Sequence, residues 1–236
     1  MQIISTKTCN IEFLFHIHSN HMIKKIIGIN GSIRKGFNTD LMVQKCLEGA
    51  KSVGAEVKLY QISDLKNLKP CQSCLQCKRI DHKFDGKCVV KDDLAPILKE
   101  IKDVDAIVIG SPIYWGMVSS AIHPVLERMY FSNYVYNKDK SSVFGKKINV
   151  GFIFTMNADK KWCDKMYQPL FNQINFNNQY IFGHSEILPV YNTLQVKDYS
   201  KYDMSAFNIE QKYKDSRELW PKELQQAFEL GKRLVT

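Results

Sequence analysis

A chain of 236 residues, 44% of them hydrophobic, has room for one α/β domain around a sizeable core. No apolar run approaches the length of a membrane span, which argues against membrane insertion. The net charge of +9 comes from scattered Lys and Arg with no run beyond two and no nucleic-acid motif. It therefore reads as a solvated surface that helps draw in phosphate-bearing ligands, and no nucleic-acid or membrane partner is expected. The seven cysteines come without a secretory signal, so a reducing cytoplasm is expected, where clustered thiols serve metal or redox chemistry.

Residues 1–23 read as a non-essential extension. Ile11–Ile17 is interrupted by Glu12 and His16 and is followed by no cleavage site, and Met22 offers a natural start just before the first strand. His16, His18 and His21 read as a polar lead-in, with metal binding as the alternative. The remainder, 24–236, reads as one domain.

In Lys24–Thr39 (KKIIGINGSIRKGFNT), Ile26, Ile27 and Ile29 predict a strand buried on both faces. A small polar loop follows, and Asn38 or Thr39 caps a helix with Met42, Cys46, Ala50 and Val53 on one stripe. Strand, polar loop and helix make a phosphate cradle, because free backbone N–H groups and the helix dipole favour an anion there. An ordinary βα turn is the alternative reading. Ala55–Ile62 alternates like an edge strand. Pro70–Cys88 carries four cysteines, and Asp92–Asp93 cap a helix with Leu94, Ile97, Leu98 and Ile101 on its apolar side.

Val104–Ile109 is almost continuously apolar, as a central parallel strand requires, and ends in the loop Gly110–Gly116. A helix is expected from about Ser119, with Ile122, Val125, Leu126 and Met129 on one side. Ser132–Lys147 crosses to the strand Ile148–Phe154, whose carboxyl end is Thr155–Ala158. A helix over Asp164–Asn175 and a last strand at Glu186–Val190 follow. Lys197–Arg217 is a polar arm, and Pro221 is expected to start a terminal helix carrying Leu224, Ala227, Phe228 and Leu234.

This alternation predicts an α/β fold: a doubly wound, parallel five-stranded sheet with helices on both faces. Ligands of such sheets bind beyond the carboxyl ends of the strands. Three loops fall there, Gly31–Thr39, Ser111–Gly116 and Thr155–Ala158, which points to one shared site.

The first loop is neither a Walker loop, since Phe37–Asn38 follow where Lys-Ser/Thr is needed, nor a G-x-G-x-x-G fingerprint, since Asn30 and Ile33 stand at its later glycines. GSIRKGFNT resembles the G-S-x-R-x-x-x-N-T phosphate loop of the flavodoxin-like NADPH-dependent FMN reductase and iron–sulfur flavoprotein families. The resemblance spans roughly Lys24–Val190 and implies that Ser32, Arg34, Lys35, Asn38 and Thr39 grip the phosphate of FMN.

In SPIYWG, Pro112 fixes the exit from the strand, and Tyr114 and Trp115 offer flat surface beside exposed amides, a combination suited to an isoalloxazine ring. Packing in a core or interface is the alternative for the two aromatics. The family's G-S-P-x-Y-W/F-G segment is similar, which implies that Pro112, Ile113, Tyr114, Trp115 and Gly116 frame the flavin. Thr155–Asn157 corresponds loosely to the third flavin loop, with Thr155 as its cofactor-binding residue. Ser119 or Ser120 and Glu127–Arg128 match the family's Ser and Asp-Arg pair with Glu for Asp, while His123–Pro124 departs from it.

Cys71-x-x-Cys74-x-x-Cys77 followed by ten residues and Cys88 leaves three readings: a [4Fe–4S] cluster, reduced thiols beside the flavin, or a Cys₄ zinc site. Iron–sulfur flavoproteins carry a similar motif with a shorter last gap. Wider FMN reductase relatives keep the G-x-C-x-x-x-D-D that Gly86–Cys88 and Asp92–Asp93 match. Cys46 reads as a small buried hydrophobe, and Cys9 and Cys163 receive no role.

The resemblance thus implies an NAD(P)H-dependent FMN oxidoreductase, homodimeric or homotetrameric, serving a small-molecule or protein electron acceptor. The flavin would carry the reaction, with no catalytic side chain required. An iron–sulfur flavoprotein electron carrier, a non-catalytic flavodoxin-type shuttle and a zinc-stabilised interaction module are the alternatives. Flavodoxins are typically acidic, so the charge of +9 speaks against the shuttle.

Overall fold

Strands buried on both faces form the middle of the sheet. Lys25–Asn30 (β1), Glu56–Gln61 (β2), Ala106–Tyr114 (β3), Ile148–Thr155 (β5) and Gly183–Val190 (β6) pair in parallel in the order β2-β1-β3-β5-β6. Met117–Val118 (β4) folds back antiparallel on the end of β3. The computed structural model describes residues 23–236 except His82, Phe84, Asp85 and Lys140. Cys9, His16, His18 and His21 lie outside the described residues.

Successive side chains feed two cores. Ile27, Ile29, Ile107, Ile109, Val150, Phe152 and Phe154 face one side, against Ala95–Glu100 (α2), His123–Asn133 (α3) and Gln168–Phe182 (α5). Ile26, Ala106, Val108 and Ile153 face the other, against Asn38–Ser52 (α1) and Ile209–Val235 (α6). The doubly wound α/β architecture expected from the sequence is therefore present, with β2 on an edge and β3 central. Among the described residues no helix is long and apolar enough to cross a membrane.

Helix boundaries are where expectation and structure part. α1 starts after Phe37, so Asn38 and Thr39 lie in its first turn and neither caps it, while Asp40 Oδ2 reaches back to the preceding loop and accepts from Gly36 N at 2.6 Å. α3 begins at His123 rather than near Ser119, because Pro124 suits the first helical turn. The single helix expected over Asp164–Asn175 is two, Lys160–Met166 (α4) and α5, divided at Tyr167 by Pro169 in the first turn of α5. Pro221 does not start the last helix. α6 runs from Ile209, capped by Asn208 accepting from Gln211 N at 3.0 Å, and carries Pro221 in its interior. Tertiary contacts of its first half, above all the buried Lys212, hold the helix through the proline.

α1 and α6 touch backbone to backbone. A Cβ on Gly231 would lie 1.7 Å from the Cys46 carbonyl oxygen, and one on Gly49 1.8 Å from that of Phe228. Gly→Ala inside a helix ordinarily stabilises by about 1 kcal/mol. Here Gly231→Ala is expected to destabilise by about 1–3 kcal/mol, because the helices must part. Denaturant unfolding checks the sign, and a stabilised variant would contradict this packing.

Burial pushes the Glu223 carboxyl of α6 from 4.5 up to about 7. Between those values the folded chain keeps a proton that the unfolded chain has released, so stability falls as pH rises across that window. Glu223→Gln is expected to remove this slope, raising Tm at pH 8 while leaving pH 4 unchanged. Thermal unfolding at both pH values tests this, and an unaltered pH profile would count against it.

Candidate functional site

The loop after β1 is folded by its own side chains. Asn30 Oδ1 accepts from Ser32 N at 3.0 Å, its amide donates to Gln61 Oε1 at 2.6 Å, and Ser32 Oγ accepts from Arg34 N at 3.1 Å. Asp40 braces the loop from behind: burial disfavours its carboxylate, but hydrogen bonds from Gly36 N, Gln44 and Gln61 hold it below the usual carboxylate range. Gly31 is needed for close approach. Its N–H donates to Gly110 O at 2.8 Å, and a Cβ there would meet Ile122 Cβ at 2.8 Å. Ser119 completes the lacing, its Oγ donating to Gly31 O at 2.6 Å and its N–H to Ser111 Oγ at 2.9 Å.

These contacts bring the three carboxyl-end loops around one cavity of about 330 Å³. Ser32, Arg34, Asn38 and Thr39 line it from the first loop, Pro112, Ile113 and Tyr114 from the second, and Thr155 from the third. Thr39 and Thr155 share a 2.7 Å hydroxyl hydrogen bond across its base. The Arg34 guanidinium stacks 4.0 Å from the Phe37 ring centroid and donates to Gln195 O at 2.6 Å. Asn38 Nδ2 donates to Leu194 O at 2.7 Å.

Three expected residues do not line the cavity. Lys35 turns away to an ion pair with Asp64. β3 continues to Tyr114 and turns back into β4, so Trp115 and Gly116 form a two-residue hairpin tip with φ of +51° and +78°. Positive φ at both positions is what such turns require, and it is unfavourable for a Trp. The Trp115 side chain is 99% exposed at that tip. Conversely, Phe37, Met156, Asn157, Thr193, Leu194 and Gln195 line the cavity without having been singled out, apart from the loose match of Thr155–Asn157. Thr193–Gln195 follows the last strand in a stretch with no motif, so no sequence signal marks it.

That last segment is pinned from α6. Lys212 Nζ donates to Asn157 O at 3.2 Å and to Asn192 Oδ1 at 2.5 Å, and Asn192 Nδ2 donates to Asp215 Oδ2 at 2.7 Å. Gln195 N donates to Tyr199 Oη at 2.9 Å, and Tyr213 Oη receives the Tyr199 N–H at 3.2 Å. The polar arm, given no place in the fold from the sequence, thus holds Thr193–Gln195, a wall of the cavity, from behind.

The cysteine segment forms a second constellation. Cys71, Cys74, Cys77 and Cys88 all line one small cavity of about 20 Å³, together with Val90, Arg128 and Phe131. Ser73 and Leu75 adopt φ of +50° and +55°, which wraps the chain tightly between the thiols. Burial pushes the Cys77 thiol up. Two cations tie the segment to α3. Lys78 Nζ donates to the carbonyls of Phe131, Ser132 and Tyr134 at the helix's carboxyl end. Arg128 donates from Nη1 to Asp92 Oδ2 at 2.5 Å and Lys69 O at 3.1 Å, from Nη2 to Val90 O at 3.1 Å, and from Nε to Cys88 Sγ at 3.3 Å. Both side chains of the Arg128–Asp92 pair are fully buried. Burial works against each charge, yet their mutual contact holds Asp92 low and Arg128 high. Cys46 and Cys163 stand apart, buried, with thiols pushed up to about 12 by desolvation.

Among the described residues no three His, Cys, Asp or Glu side chains are grouped to hold a single metal ion. Zinc needs its ligands converging on one point. An iron–sulfur cubane instead takes four thiolates around its outside. Four thiols around one cavity, with a buried N–H donor to one sulfur, fit the chemistry of such an anionic, sulfur-ligated group. A larger cavity of about 710 Å³ lies beside Cys71 between α3 and α5, walled by Tyr130, Phe131, Tyr134, Phe176 and Tyr180. Among the described residues it has no positive side chain for a phosphate.

Residues 24–171 match the NADPH-dependent FMN reductase family. The chain belongs to that family. Among curated relatives, an iron–sulfur flavoprotein of Methanocaldococcus jannaschii is 39% identical over 104 residues, 44% of this chain and 51% of the relative. One of Methanosarcina thermophila is 34% identical over 104 residues, with the same coverage of each. The chain spans about half the length of these curated relatives. Among solved structures, an NAD(P)H:quinone oxidoreductase from Methanothermobacter marburgensis superposes with a TM-score of 0.62 at 9% identity, covering 90% of this chain and 97% of the other. An FMN-dependent NADH-azoreductase from Bacillus anthracis in complex with FMN gives 0.60 at 13% identity, covering 90% and 100%. At such identities these structures speak for the fold alone. The strand order and the family match together place the chain in the FMN reductase family on a flavodoxin-like fold. Its matched span ends at 171, before β6, Thr193–Gln195 and α6.

Proposed function

We propose that the chain binds FMN in the cavity of the three loops and transfers electrons from NADH or NADPH to a small-molecule or protein acceptor, as a cytoplasmic homodimer or homotetramer. One observation carries this reading. Ser32, Arg34, Asn38, Thr39 and Thr155, all able to donate, and the apolar Pro112–Tyr114 line the same cavity, at the end of the sheet where mononucleotides bind. The phosphate is held by backbone N–H groups of the first loop, the positive end of α1 and the Arg34 charge. Pro112, Ile113 and Tyr114 offer the flat surface and backbone amides for the ring, while Phe37 and Met156 exclude water. When bound, the flavin supplies the redox chemistry. No His, Asp or Glu lines the cavity among the described residues, so the chain contributes binding and orientation rather than a side-chain acid or base.

A second reading is favoured by the four-thiol cavity and by relatives named iron–sulfur flavoproteins. In it Cys71, Cys74, Cys77 and Cys88 hold a [4Fe–4S] cluster, and the protein is an electron carrier linking two-electron and one-electron chemistry.

The visible spectrum and iron content of anaerobically purified protein, followed by NADH and NADPH oxidation assays, test both. Flavin bands with nicotinamide oxidation support the first reading, and broad added absorption with about four irons per chain supports the second. A colourless protein that does not take up added FMN would overturn the proposal.

A further inference from the structure

We infer that Arg128 is a positioning residue that sets the reduction potential of the group held by the four-cysteine loop. The inference rests on the cluster reading above. Its basis is the Arg128 fork. Three of its four hydrogen bonds, to Asp92, Lys69 and Val90, fix the guanidinium between the two arms of the loop, and the fourth runs from Nε to Cys88 Sγ at 3.3 Å. The side chain is fully buried, so water does not replace the donor if it is lost, and the low local dielectric strengthens what it does.

An N–H aimed at a ligating sulfur stabilises negative charge there. Reduction of a cluster adds one electron to a group already made anionic by four thiolates, so the donor favours the reduced form and raises the potential. Hydrogen bonds to the sulfurs are among the features known to set cluster potentials. Arg128 is suited to this for a further reason: its own charge is already neutralised by Asp92. The contact therefore acts on one sulfur through a directed N–H rather than by a loose net charge. Lys78 also reaches a sulfur of the loop, Cys77, but its ammonium is shared with three carbonyls at the carboxyl end of α3 and anchors the loop. Arg128 is the fully buried donor, on Cys88.

The test is the midpoint potential of the cluster, read by EPR during an anaerobic redox titration of the full chain. The double variant D92N/R128Q removes both buried charges together and with them the Nε–Sγ bond. It is expected to keep its iron and shift the reduction equilibrium about tenfold toward the oxidised form, about 59 mV more negative for a one-electron couple. R128K, which keeps the charge but loses the planar fork, is expected to shift in the same direction, and it carries the comparison should the neutral pair fail to retain iron. Iron-loaded variants with the wild-type potential would overturn the role of Arg128 while leaving the cluster reading intact. Iron-free wild-type protein, purified anaerobically and incubated with iron and sulfide, would overturn the cluster reading and this inference with it.

Discussion

Arg128→Met is expected to destabilise the fold by about 3–5 kcal/mol, the largest single-residue effect anticipated in this chain. Methionine fills much of the volume but leaves the Asp92 carboxylate, fully buried, without its partner. It also strands the carbonyls of Lys69 and Val90, which accept from the guanidinium at 3.1 Å each. An uncompensated buried charge is far more harmful than the loss of the pair as a whole. D92N/R128Q should therefore recover most of the stability that R128M loses. Against a typical total of about 5–15 kcal/mol, the single variant would stand near the edge of folding. Denaturant unfolding of the three proteins decides the matter, and a loss below about 1 kcal/mol in R128M would mean that the pair is hydrated in solution.

Removing Arg34 and Thr39 together should weaken FMN binding about 100-fold or more. Arg34 is the one positive side chain of the cavity among the described residues, and Thr39 lies in the first turn of α1 with its hydroxyl facing Thr155. A hydrogen bond to a charged group contributes about 1.5–3 kcal/mol and a neutral one about 1, which together give roughly 3 kcal/mol, or two decades in Kd. Fluorescence titration of apoprotein with FMN reads this directly, with circular dichroism to show that the fold persists. Undiminished flavin affinity in the double variant would remove the phosphate from this loop.

What could be read from the chain beforehand follows the physics of each segment. β1, its loop and α1 were legible because a strand buried on both faces, small polar residues and a helical stripe each leave a local mark. β3 was legible as the central strand for the same reason. Pro221 misled because a proline usually ends or begins a helix, and the contacts that override it, such as Lys212 to Asn157, are distant in sequence. Trp115 looked like flavin-packing surface, but β3 extends further than its apolar run and the residue becomes a hairpin tip. The cysteine spacing was visible, whereas the grip of Arg128 on Cys88 joins positions forty residues apart and has no local pattern. Thr193–Gln195 was invisible for a like reason: it enters the site through backbone carbonyls, which any residue supplies.

The span shared with the family closes at residue 171, while Arg34 and Asn38 reach across to carbonyls of residues 195 and 194. One side of the cavity is thus supplied by the family-matched span, and the facing side by a separate stretch of chain. Changes confined to the facing side would reshape what the cavity admits without altering a residue of the first loop.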